Sequence, residues 1–177
     1  MKEDVESSIP PLQETIIDIE LTNLQKTIYK TIYEKNKGTL QKGLGLQYVS
    51  MMNNLEIQLR KCCNHPFLLQ DIKEHLIVDC HSYEKYYEKM LSCSGKMILL
   101  DKMVQKYRLE NKKILIFSQF TEMLKVIEEY LSHNAIVYEK IDGSTKAKDR
   151  QTAIDRFNKH ADEFGVFLLS TKAGGMG

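Results

Sequence analysis

The sequence predicts an α/β fold: a short parallel sheet in the second half of the chain, preceded by a mainly helical segment. Three observations predict it. Between residues 113 and 170, short apolar runs alternate with segments of helical period, in the order strand, helix, strand, helix, strand. That order gives parallel strands joined by right-handed crossovers. Residues 22–63 carry two apolar stripes at helical spacing. The composition, 42% hydrophobic and 28% charged over 177 residues, is that of a chain with a packed core and not of a disordered one.

Residues 1–14 are polar, acidic and interrupted by Pro10-Pro11, and read as a flexible lead-in. Thr15 to Leu21 alternates, with Ile17, Ile19 and Leu21 on one side and Asp18 and Glu20 on the other, which predicts a half-buried strand. Thr22 and Gln25 match a capping box opening a helix to about Lys35, with Leu24, Ile28 and Ile32 inward. Gly38, Gly43 and Gly45 mark a loop. A second helix is predicted from about Val49 to Cys63 and stops before Pro66. Residues 70–93 show no clean period and read as a long connection with a short helix near Tyr83–Met90. From Ser94 the pattern sharpens. A helix through Met97, Leu100, Val104 and Tyr107 leads into Lys113–Phe117, a continuous apolar run expected to be a strand covered on both faces. A helix over Phe120–Leu131, a strand over Ile136–Ile141, a helix over Lys146–Phe157 and a buried strand over Gly165–Ser170 follow.

Charge excludes some functions and leaves others open. Lys and Arg total 25 against 24 Asp and Glu, so the net +1 rules out binding to nucleic acid through bulk charge alone. The sum conceals segments: residues 1–20 are acidic, 21–66 basic, 67–92 mildly acidic and 93–177 mildly basic. Local basic patches therefore fit a neutral chain, although solvated helix faces explain mixed charges as well. No apolar run reaches the length of a membrane span. Four cysteines are too few for a disulfide scaffold and suggest a reducing compartment. Cys62, Cys63, His65, Cys80, His81 and Cys93 lack the spacing of a zinc site and read as buried thiols and a helix-stopping histidine.

Ligands of parallel α/β sheets bind at the carboxyl ends of the strands. Three loops lie there: Ser118-Gln119, Asp142-Gly143-Ser144 and Thr171 to Gly177. The last is rich in glycine and carries a hydroxyl and a lysine, groups that suit a phosphate; a plain flexible turn fits it equally. Lys146, Lys148, Arg150, Arg156 and Lys159 exceed Asp149 and Asp155 on the adjoining helix, suiting a phosphate backbone or merely a solvated face. No Walker A loop is present, and no Asp-Glu pair follows an apolar strand to hold magnesium. The chain stops inside a turn, so it reads as a piece of a longer protein.

Three segments together are far more specific. They are LRKCCNHPFLL (59–69), KILIFSQFTEMLKVIEEYL (113–131), and IDGSTKAKDRQTAIDRFN (141–158) leading to FLLSTKAGGMG (167–177). In that order they resemble the chromatin-remodelling ATPases of the SWI/SNF-type family, within helicase superfamily two, and most resemble the chromodomain-helicase-DNA-binding class. The resemblance implies a motor of two RecA-like lobes with ATP between them. Residues 15–92 would then be the end of lobe one and a helical insertion. Residues 93–177 would be the first half of the second, helicase C-terminal lobe. It further implies DNA contacts at Ser118 and Gln119 (motif IV), at Gly143, Ser144 and Arg150, and at Thr171 and Lys172 (motif V), with Gly175 and Gly177 toward the nucleotide.

The implied function is part of an ATP-dependent DNA translocase that moves nucleosomes in the nucleus. ATP and magnesium would belong to the complete parent, none being expected on this chain, with histones met by other domains and no membrane involved. With no catalytic residue of its own and no arginine finger, the isolated chain is expected to be inactive as an ATPase. A non-catalytic DNA-binding module is the alternative. An RNA helicase lobe is a further one, disfavoured by LRKCCNHPFLL. An incomplete parallel sheet leaves an open edge, so self-association is expected.

Overall fold

The computed structural model describes residues 12–40, 46–159 and 163–174. Its first half is helical. Helix α1 spans Asn23–Leu40 and α2 spans Leu46–Asn64. A 3₁₀ turn at Pro66–Leu68 follows, then α3 at Gln70–Ile77 and α4 at Tyr83–Ser92. The second half alternates: α5 (Gly95–Leu109), β1 (Ile114–Ser118), α6 (Thr121–His133), β2 (Tyr138–Ile141), α7 (Ala147–Lys159), β3 (Val166–Ser170) and a last turn, α8 (Thr171–Gly174).

The three strands are parallel in the order β1-β3-β2, so the last strand is the central one. All five residues of β3 are buried, as its apolar run requires. Helix α6 packs on one face, where Met123, Leu124, Ile127, Tyr130 and Leu131 meet Val166 and Leu168. Helix α7 covers the other, where Ala153 joins Ile141, Phe167 and Leu169.

The larger core crosses from the helical half into the sheet half. Phe67 and Leu68 of the 3₁₀ turn, Met90 of α4 and Cys93 share it with α5 and α6. A polar seam reinforces the join. The predicted capping box forms: the Thr22 N–H donates to Gln25 Oε1 at 3.1 Å and the Gln25 N–H to Thr22 Oγ1 at 3.1 Å. Gln25 then reaches two further elements. Its Nε2 donates to the Cys62 carbonyl at 2.8 Å, and its Oε1 accepts from the Gly95 N–H at 3.1 Å. Ser94 caps α5 and donates its hydroxyl to the Asn64 carbonyl at 2.7 Å. The helical half is thus fixed against the start of α5.

The structure corrects four expectations. Residues 15–21 form no strand; the stretch 12–22 is irregular chain with Ile16 and Ile17 exposed, and none of its residues joins the sheet. Helix α1 continues past Lys35 through Gly38 to Leu40. The first part of the connection expected over 70–93 is a helix, α3, while the short helix expected near Tyr83–Met90 is α4, capped by the Ser82 hydroxyl. Strand β1 is covered on one face only, since Leu115 and Phe117 remain about half exposed. Residues 1–11 of the lead-in, Gly43 and Gly45 lie outside the described residues. Among the described residues no helix is long and apolar enough to cross a membrane.

The expectation of buried thiols holds for two of the four cysteines, while Cys63 and Cys80 are partly exposed. Cys62 and Cys93 are buried, and burial pushes their thiols up to about 11 and about 12. His65 is fully buried and caps the 3₁₀ turn: its Nδ1 accepts from the Phe67 N–H at 3.0 Å and its Nε2 donates to the Met90 carbonyl at 2.9 Å. The bond that Nδ1 accepts needs the neutral imidazole, and burial lowers its pKa to about 4. Among the described residues no three His, Cys, Asp or Glu side chains converge on a metal-sized site.

Candidate nucleic-acid interface

The register aligns the carboxyl ends of the strands. Ser118 of β1 pairs with Ser170 of β3, and Ile141 of β2 pairs with Leu169. Ser118-Gln119, Thr171-Lys172 and Asp142-Gly143-Ser144 therefore leave the sheet side by side, across about 10 Å at the usual strand spacing.

Each loop is held by its own hydrogen bonds. At β1, the Ser118 hydroxyl accepts from the Phe120 N–H at 3.2 Å and donates to the Phe120 carbonyl at 3.0 Å, which closes the step into α6. At β2, Asp142 Oδ1 accepts from the Ser144 N–H at 2.9 Å and the Ser144 hydroxyl at 2.6 Å. These bonds, with Lys140 behind them at 3.4 Å, hold the Asp142 carboxyl below its ordinary range. Gly143 is exposed with open space around it. At β3, the buried Ser170 hydroxyl accepts from the Ala173 N–H at 3.3 Å, turning the chain directly into α8. Thr171 and Lys172 are exposed at that turn.

Arg150 has a different position from the other site residues. Its Nη1 donates to the Ala173 carbonyl at 2.7 Å, so α7 holds the short α8 in place. Arg156 is likewise engaged, with a two-pronged pair to Glu139 at 2.6 and 2.8 Å. Lys146, Lys148 and Lys159 stay exposed, so only part of the basic α7 face is available. Gly175 and Gly177 lie outside the described residues.

A cleft of about 620 Å³ opens beside two of the three loops. One wall is the sheet edge, with Phe117, Ser118, Gln119, Phe120 and Thr171. The other comes from the helical half, with Tyr29, Arg60 and Lys96 among its residues. Arg60 donates to the Gln119 side-chain oxygen across it. Nothing in the local sequence pairs Arg60 with Gln119, 59 positions away; the only signal was that both sit in the specific segments quoted above.

Comparison with known proteins agrees with the resemblance. The SNF2-related domain family matches residues 1–68, and the helicase conserved C-terminal domain family matches residues 95–177. The chain belongs to the SWI/SNF-type family. It aligns with chromodomain-helicase-DNA-binding protein 8 of Homo sapiens at 43% identity over 183 residues, covering all of this chain and 7% of that protein. The chain thus spans a small part of that curated relative. Among solved structures, the Sulfolobus solfataricus SWI2/SNF2 ATPase C-terminal domain superposes with a TM-score of 0.68 at 25% identity, over 86% of this chain and 61% of that one. The C-terminal part of the Fun30 ATPase domain gives 0.67 at 25% identity, over 95% and 72%. The three-stranded sheet is therefore part of a RecA-like lobe of the SNF2 type.

Proposed function

We propose that this chain is the part of an ATP-dependent DNA translocase that links the end of its first RecA-like lobe (from residue 15) to the first half of its second (residues 93–177). In a nuclear chromatin remodeller, that motor moves nucleosomal DNA, and other domains meet the histones. The observation that carries the reading is the gathering of Ser118-Gln119, Gly143-Ser144 and Thr171-Lys172 along one edge of a parallel sheet, in an SNF2-type chain. Backbone contacts from such loops position a strand without reading its sequence.

Each residue has a part in this reading. Lys172 supplies a positive charge to a phosphate. Thr171 supplies a hydroxyl, Ser118 and Ser144 supply theirs once these leave the Phe120 carbonyl and Asp142, and Gly143 permits close approach. Arg150 acts through Ala173 as a positioning residue for α8. Gly175 and Gly177 are assigned to the nucleotide side. ATP bound with magnesium in the complete motor supplies the free energy of translocation. The described residues bring no three metal-ligating groups together and do not fit that metal by themselves.

Binding of the chain to a fluorescein-labelled duplex, titrated with salt, tests the reading. Weak, sequence-independent binding is expected. Lys172→Ala should lower the slope of log K against log salt by about 0.9, the share of one phosphate contact. A slope unchanged by Lys172→Ala would remove that assignment. The chain alone should release no phosphate from ATP with or without DNA; DNA-stimulated hydrolysis would overturn the assignment of the catalytic parts to the rest of the parent.

A further inference from the structure

The helical wall of the cleft carries two cations, Arg60 of α2 and Lys96 of α5, facing Ser118, Gln119 and Thr171. Arg60 uses Nη2 on the Gln119 amide oxygen. Among the described residues its ion-pair partner is Glu56, whose Oε1 lies 3.8 Å from Nη1, too far for a hydrogen bond. A guanidinium has five N–H donors in a planar fork, so most of that capacity is unspent. The side chain also keeps 49% of its exposure. Lys96 is exposed and, among the described residues, reaches only Asn64 Oδ1, at 3.3 Å, with one of three donors. The wall itself is rigid, because Gln25 and Ser94 tie the end of α2 to the start of α5.

A neutral amide oxygen is a weaker partner for Arg60 than an anion would be. Hydrogen bonds between a guanidinium and a phosphate are charge-assisted on both sides, about twice as strong as neutral ones, and can be two-pronged. A phosphate oxygen entering the cleft would replace Gln119 on the Arg60 fork. The freed Gln119 amide could then turn to the same strand, beside the Ser118 and Thr171 hydroxyls.

We propose that Arg60 and Lys96 are a second row of phosphate contacts, and that the cleft between α2 and the β1–β3 edge takes the phosphodiester backbone of a nucleic-acid strand. The helical half is then part of the DNA track and not only a brace for it. This rests on the reading of the strand-end loops as facing DNA.

The test uses the same chain and labelled duplex. Arg60→Ala and Lys96→Ala should each lower the salt slope by about 0.9, and the double variant by about 1.8. Glu56→Gln, which removes the nearest opposing charge, should tighten binding. Lys106→Ala, roughly 15 Å further along α5 by helical rise, should change nothing. Arg60→Lys keeps the charge and should keep the slope, which separates lost contact from lost folding. Unchanged slopes in Arg60→Ala and Lys96→Ala, with Lys172→Ala still showing its loss, would sink the cleft and spare the loops. Failure of the unmodified chain to bind duplex would sink both. Free ATP should compete no better with the unmodified chain than with the double variant; competition that needs Arg60 would make the cleft a nucleotide site and overturn the strand assignment.

Discussion

The Gln25 side chain offers one acceptor oxygen and two N–H donors, and it is fully buried. The oxygen serves the N–H groups of Thr22 and Gly95, and the amide nitrogen serves the Cys62 carbonyl. Removing it leaves these groups without a protein partner, at about 1–3 kcal/mol each where water cannot enter. Gln25→Ala should therefore cost about 3 kcal/mol, read as a lower urea midpoint at unchanged m-value. A loss under about 1 kcal/mol would show that water replaces the amide freely. His65 makes the stability of the fold depend on pH. Its pKa is near 4 in the folded chain against 6.5 for a free imidazole. The unfolded chain therefore takes up a proton as pH falls below about 6.5, while the folded chain resists until about 4. Stability should be full above pH 6.5 and decline by up to about 3 kcal/mol as pH falls toward 4. Urea melts across that range check it. His65→Gln should flatten the slope, and an equal slope in both proteins would exclude His65 as its cause. The capping role of Thr22 and Gln25 was legible in the sequence, because a capping box is local. The reach of Gln25 to Cys62 and Gly95 was not, since contacts 37 and 70 residues apart leave no local pattern.

At the scale of elements, alternation alone misled at residues 15–21. The pattern of a half-buried strand is present, but a strand needs a ladder partner, and none is provided there. The segment instead lies against the start of α5. A Cβ on Gly95 would stand 2.4 Å from the Glu20 carbonyl oxygen and 3.0 Å from Ile19 Cγ2. Backbone cannot yield as a side-chain tip can, so Gly95→Ala should release residues 12–22. Limited proteolysis in that stretch should speed up several-fold, and an unchanged cleavage rate would show that the segment is not held by this contact. At Gly174 the obstruction is the half-exposed Phe117 ring, at 2.8 Å, which can move. Helix α3 was missed for a different reason. Its buried face is narrow, with no residue fully buried. So short a stripe does not declare a period. Helices α6 and α7 and the strands were legible because each carries several apolar residues on one side.

Across the whole molecule, the sheet has β1 at one edge, with Leu115 54% and Phe117 53% exposed. An edge strand with apolar side chains on one face offers both hydrogen bonds and area to another chain. The chain alone should self-associate with rising concentration, and Phe117→Glu should reduce it. Sedimentation velocity decides this; a strictly monomeric unmodified chain would contradict it.

The α/β alternation, the helical lead into it, the family and the loops on which the proposed function rests were all readable from the order of residues. These follow from local periodicity and from short motifs, which need no knowledge of what lies across the fold. The central place of β3, the missing strand partner of residues 15–21, the hold of Arg150 on α8 and the facing of Arg60 and Gln119 came from long-range packing. Those depend on which distant surfaces bury one another: β3 pairs on both sides and is covered by α6 and α7, and the Gln25 seam sets α2 against the start of α5.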